Sequence, residues 1–124
     1  APTKPPKVGL DPEPITFTVP VQRQRLLDGD ANTERNLQRR VERKLEHKVY
    51  KRLRRQGIPE ARARVGLMIT FGFDNNLGQA QQVARRANRL TKQAEPSLFR
   101  KSIVKSYGST NPANKVDFEV YVYQ

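Results

Sequence analysis

The segment over residues 33–56 constrains the fold more than any other part of the chain. Projected as a helix at about 100° per residue, it gathers Leu37, Val41, Leu45, Val49 and Leu53 into one broad apolar stripe. Asp30, Asn32 and Thr33 are candidate N-caps, and Gly57 and Pro59 supply the stop. At about 1.5 Å per residue such a helix spans about 36 Å. Opposite the stripe fall Arg39, Arg40, Arg43, Lys44, His47, Tyr50, Lys51 and Arg54. One side of this helix is therefore for packing, and the other carries dense positive charge.

The rest of the chain supplies strands for that stripe to cover. Ile15, Phe17, Val19 and Val21 alternate with Thr16, Thr18 and Pro20, which predicts a half-buried strand. Pro20 cannot donate to a ladder, so this strand ends there or lies at an edge. Ala63, Val65, Leu67, Ile69, Phe71 and Phe73 alternate with Arg62, Arg64, Gly66, Met68, Thr70 and Gly72, the clearest strand of the chain. The first set is read as core-facing and the second as lying on the open side. Asp74, Asn75 and Asn76 make a turn, and Leu77, Ala80, Val83, Ala84, Ala87, Leu90 and Ala94 give a second amphipathic helix ended by Pro96.

Leu98 to Tyr107 reads as a third strand whose facing its pattern does not settle, because Lys101 and Lys105 share a parity with Phe99, Ile103 and Tyr107. A loop over residues 108–112 follows. Val116, Phe118, Val120 and Val122, alternating with Asp117, Glu119, Tyr121 and Tyr123, form the last strand. The order is β-α-β-α-β-β. It predicts an α+β fold with a four-stranded sheet, two helices over one face and the other face open. We read residues 15–124 as one domain, preceded over residues 1–14 by an extended arm with five prolines (Pro2, Pro5, Pro6, Pro12 and Pro14). The first residue, Ala1, fits removal of an initiator Met or of a longer leader, with nothing to separate the two.

Charge is placed unevenly. Of the formal +12, residues 33–64 contribute +8 from twelve basic and four acidic side chains, while residues 1–32 are neutral with four of each. A surface charged only for solubility mixes its signs more evenly. Arginine suits an anionic track because its fork holds phosphate oxygens bidentately. Glu42 and Glu46, at the border of the stripe, are expected to pair with Arg39 and Arg43 within the helix. Arg85, Arg86, Arg89 and Lys92 on the second helix form another basic set, and Arg62 and Arg64 extend either one.

Catalytic and metal constellations are missing. With no cysteine there is no thiolate chemistry and no Cys-based zinc site. His47 is the only histidine and has no orienting carboxylate. Asp28 to Asn32 begins like a calcium loop, but Thr33 and Arg39 stand where glycine and the bidentate glutamate belong. Gly66, Gly72 and Gly78 make no phosphate loop. We therefore expect no enzyme, no cofactor and no metal. No apolar run is long enough to span a membrane, no secretory leader pattern is seen, and the expected setting is the cytoplasm or an organelle stroma or matrix.

On the open face, Met68, Thr70, Tyr121 and Tyr123 are candidate interface residues, for packing against a second copy of the chain in a homo-oligomer rather than for stacking on bases. The element order from Ile15 to Gln124 resembles that of two nucleic-acid modules, the archaeal Alba-type chromatin proteins and the C-terminal domain of bacterial translation initiation factor three, although the first helix here is longer. That resemblance points the same way as the charge. The expected function is non-catalytic binding of nucleic acid, DNA or RNA, through Arg39, Arg40, Arg43, Lys44, Lys51 and Arg54, with low sequence specificity. The alternative is a basic linker that docks onto acidic protein subunits in a large assembly of the virion or light-harvesting antenna type.

Overall fold

The computed structural model describes residues 9–124. The first eight residues of the Pro-rich arm lie outside the described residues. The elements run β1 (Ile15–Pro20), α1 (Arg23–Leu27), α2 (Ala31–Lys44), a π-helical segment (Leu45–Tyr50), α3 (Lys51–Arg55), a 3-10 turn (Glu60–Arg62), β2 (Val65–Phe73), α4 (Leu77–Ala94), β3 (Ile103–Ser109) and β4 (Lys115–Val122). The four strands form one mixed sheet in the order β1-β4-β2-β3. β4 is antiparallel to both its neighbours, and β2 is parallel to β3. The fold is α+β, and β1, with Pro20 at its end, is an edge strand. Among the described residues, no helix is long and apolar enough to cross a membrane.

The helices cover one face of the sheet. Residues 31–55 form a continuous helical run that opens at Asp30, whose carboxylate accepts from the Thr33 amide at 2.9 Å and the Thr33 hydroxyl at 2.7 Å. These two bonds hold Asp30 below the usual aspartate range. The run stops at Gly57, which takes a positive φ of 80°. Leu37, Val41, Leu45, Val49 and Leu53 are all buried, each worth about 1.5–3 kcal/mol of burial.

That stripe is spaced by four, and it needs the π-helical segment. In a straight α-helix, positions four apart drift by about 40° per step, so the drift from Leu37 to Leu53 reaches about 160°. The wider i→i+5 turn over Leu45–Tyr50 takes up one extra residue and returns Val49 and Leu53 to the sheet side. The same rotation draws Tyr50 inward. Expected on the basic side, it is instead 5% exposed, and its hydroxyl donates to Glu95 Oε2 at 3.0 Å.

α4 sits closer to the sheet than the long helix. A methyl group placed on Gly72 would lie 2.1 Å from the Ala80 carbonyl oxygen, and one on Gly108 would lie 2.9 Å from the Ala80 Cβ. The two glycines are register partners on β2 and β3. Beside them a polar cluster bridges the layers: the Thr70 hydroxyl donates to Asn88 Oδ1, and Asn88 Nδ2 donates to the Ser106 hydroxyl at 2.7 Å.

This close approach overturns the expected facing of β2. Met68 and Thr70, assigned to the open side from their parity, are fully buried under α4. Leu67, Ile69, Phe71 and Phe73 are the half-buried residues of the open face. The cause is a register shift between Val65 and Leu67, a bulge at Gly66 that turns over the rest of the strand. Gly66 is required there because Leu10 and Tyr123 press onto it, with Leu10 Cδ2 only 2.1 Å from where a Cβ would stand.

Three other segments differ from expectation. Residues 23–27 form a short helix whose Leu26 is fully buried and whose Arg23 reaches Asp74 at 3.1 Å. Of the run from Leu98 to Tyr107, only Ile103 onward is strand; Leu98 and Phe99 are buried in the turn before it. Residues 9–14 lie against the domain, with the Asp11 amide donating to Val122 O at 2.8 Å and the Asp11 carboxylate 2.6 Å from Arg52.

Candidate nucleic-acid interface

The side of the long helix turned away from the sheet is a row of cations. Arg35, Arg39, Arg43, Lys51 and Arg55 are exposed there, and Lys48 lies instead toward the β1 edge of the sheet, in a hollow with Thr16, Thr18, Asp117 and Glu119; among the described residues none of the six is within ion-pair distance of a carboxylate. Half-buried Lys44 likewise has no carboxylate partner. Arg40 belongs to the row but is anchored, its Nη1 donating to the Pro20 carbonyl at 2.9 Å. From Arg35 to Arg55 the row extends about 30 Å along the axis. Its exposed cations sit four residues apart, with His47 standing in the one gap between Arg43 and Lys51, so successive guanidinium and ammonium groups climb the helix on one side.

Arg54 is different. It pairs with Glu46 at 2.8 Å, so the expected pairing of Glu46 with Arg43, and of Glu42 with Arg39, is not what the structure holds. Lys48 and Arg55 escaped sequence reasoning for the reason that misplaced Tyr50. In a straight α-helix both project into the apolar stripe, and the extra residue taken up by the π turn swings them out by about 100°.

The second basic set is near the first but not continuous with it. α2 and α4 lie side by side, joined where Gln38 Nε2 donates to Leu90 O at 3.1 Å and where Arg89 comes within 3.7 Å of Glu34. Further along the seam, Glu95 sits beside Tyr50. Burial above all, and then the charges of Glu42, Glu60 and Glu46, push the Glu95 carboxyl up, against the lowering by the Tyr50 hydroxyl. Burial and Glu95 in turn push the Tyr50 phenol up. Carboxylates thus run between the two basic rows.

Arg85, Arg89 and Lys92 instead line an open hollow with Val104 and Ser106 on the β3 side of α4. Arg86 is turned back onto the Leu26 carbonyl at 3.2 Å. Arg62 and Arg64 lie beyond the helix end, beside Ile58, Lys101 and Tyr123, and Arg64 donates to the carbonyls of Ala61 and Ala63 at 3.2 and 2.7 Å. Of the expected basic residues, the structure therefore brings Arg39, Arg40, Arg43, Lys44 and Lys51 into one row. It places Arg85, Arg89 and Lys92 in a second group, and Arg62 and Arg64 in a third.

The chemistry open to the long row is electrostatic. Its donors are guanidinium and ammonium groups, with exposed His47 among them. Among the described residues, no group of three or more histidine, aspartate or glutamate side chains is placed to hold a metal ion. No family model matches the chain, and no curated protein and no solved structure matches it either.

Proposed function

We propose that this chain binds nucleic acid through the sugar-phosphate backbone, without catalysis and with little sequence preference. The observation that carries the reading is the row from Arg35 to Arg55: exposed cations at regular helical intervals, without carboxylate partners among the described residues. Phosphates repeat along a nucleic-acid strand, and a straight rod of cations meets several of them at once, with release of counterions as the driving force. A linker docking onto acidic protein subunits would draw on the same charges. The regular spacing along one rod favours the repeating polyanion, and the test separates the two.

A fluorescence anisotropy titration of the whole chain on a labelled duplex, repeated over a series of salt concentrations, reads the contact directly. Engagement of about five or six phosphates gives a log–log slope near −5. Absence of binding at low salt, or a slope near zero, overturns the reading and leaves the acidic-protein linker.

A further inference from the structure

The face of the sheet that carries no helix is apolar along its centre. Leu67, Ile69, Phe71 and Phe73 of β2 lie along it, Phe71 stacks on Tyr107 of β3 with ring centroids 5.8 Å apart, and Ile103 beside them is 64% exposed. The charged residues its strands carry, Lys105, Lys115, Asp117 and Glu119, sum to zero on a chain of +12, and Lys48 of the long helix adds one cation at its β1 edge, outside the β3-β2-β4 centre. Asp117 and Glu119 repel phosphate, so the nucleic acid proposed for the helix side is a poor occupant here. Neutrality suits self-association, because elsewhere two copies of this chain repel each other.

The cross-strand register makes the choice specific. Ile69 of β2 stands level with Lys105 of β3 on one side and Glu119 of β4 on the other. With strands about 4.8 Å apart, the backbones of these two charged residues are about 10 Å apart, and neither is in an ion pair among the described residues. One level along, Phe71 stands between Tyr107 and Asp117, and at the other end Leu67 stands between Ile103 and Tyr121. We propose that this face is a homodimer interface whose two-fold axis runs parallel to the strands over β2. The operation lays β2 on its own copy and β3 of each copy over β4 of the other, as in the aligned packing of sheets.

Each level is then complementary. Lys105 meets Glu119 twice, Tyr107 offers its hydroxyl to Asp117, Ile103 covers Tyr121, and the apolar β2 residues meet at the centre. The flat footprint, about 20 Å on a side, is at the low end of specific interfaces, so the dimer is expected in the micromolar range.

Sedimentation equilibrium of the whole chain, free of nucleic acid and at physiological ionic strength, tests this with a charge swap. Lys105→Glu alone and Glu119→Lys alone each set like charges opposite one another at both symmetric positions, and each should weaken dimerisation about tenfold or more. The double variant restores the pairing reversed and should return to within about threefold of the parent. Both substitutions are on the open face, and circular dichroism checks the fold of all three variants. The proposal is overturned by a parent that stays monomeric to about 300 μM, far above the expected range. It is also overturned by single variants that dimerise like the parent, or by a double variant that does not recover. None of these outcomes bears on binding by the helix row, which is read with nucleic acid present.

Discussion

The long helical run over residues 31–55 and α4 lie next to each other on the same sheet face, and both turn arginine and lysine outward, yet they are built to opposite priorities. α4 is pressed down. Its seam uses Ala80, Val83, Ala84 and Ala87 against Gly72 and Gly108, and its buried Asn88 is bonded to both Thr70 and Ser106. The long run stands further off on leucine and valine, takes up a π turn to keep them aligned, and leaves its far side to cations. The cations of α4 are partly committed to the fold itself, Arg86 to the Leu26 carbonyl and Arg89 to Glu34, whereas among the described residues those of the long run from Arg39 to Lys51 have only Arg40 anchored. Close packing and free charge have been divided between two neighbouring helices.

The largest expected effect breaks the packing side of this contrast. Gly72→Ala would set a methyl group 2.1 Å from the Ala80 carbonyl oxygen and 2.9 Å from the Ala84 amide nitrogen. Backbone cannot swing aside, so the change should cost about 3 kcal/mol or more. The same substitution at the end of the long run, Gly57→Ala, meets no atom within 4 Å and pays only for its positive φ, about 1 kcal/mol. Urea denaturation of both variants measures the difference, and equal costs would contradict the close seat assigned to α4.

A smaller effect sharpens the contrast at the seam. Because Glu95 has its folded pKa raised, its proton is held more tightly in the folded state than in the unfolded one. The stability this lends is complete below the ordinary glutamate value and is lost as pH rises through the raised one. Glu95→Gln cannot ionise and still accepts from the Tyr50 hydroxyl. Its melting temperature should exceed that of the parent by a few degrees at pH 7, and the gain should vanish below about pH 4. A gain independent of pH would mean that the carboxylates along the seam are not in contention.

These particulars show where sequence reasoning succeeds and where it stops. β1, α4, Asp30 as one of the three cap candidates of the long helix and the alternation of β4 follow from period and capping chemistry, and all are in the structure. The facing of β2 was not legible because the alternation is regular through Gly66, and the bulge there, which sends Val65 and Leu67 to opposite faces, leaves no mark on the period. Hydrophobicity placed the bulkier set inside, but the constraint is space: α4 approaches so closely that Gly72, Thr70 and Met68 must point toward it. The available signal was Gly72, which weakens a strand without a turn to justify it, whereas Gly108, expected in the loop over residues 108–112, lies in β3. In the same way, apolar residues repeating every four rather than alternating three and four were the trace of the π turn. Reading that trace would have moved Tyr50 off the basic row, put Arg55 on it and turned Lys48 out of the apolar stripe. The basic row itself was legible because arginines crowd one side whatever the local pitch.

The central claim, that the long row is the nucleic-acid contact and α4 is not, is tested most directly by two matched triple variants. Arg39→Gln, Arg43→Gln and Lys51→Gln remove three charges from the long row; Arg85→Gln, Arg89→Gln and Lys92→Gln remove three from α4. Both variants fall from +12 to +9, so any effect of net charge is shared. In anisotropy titrations on a duplex, the first should bind on the order of a hundredfold more weakly, at about 1 kcal/mol per lost contact, with a salt slope shallower by about 2.7. The second should bind within a few-fold of the parent with its slope unchanged. Equal weakening of the two variants, or weakening of the α4 variant alone, would contradict the account.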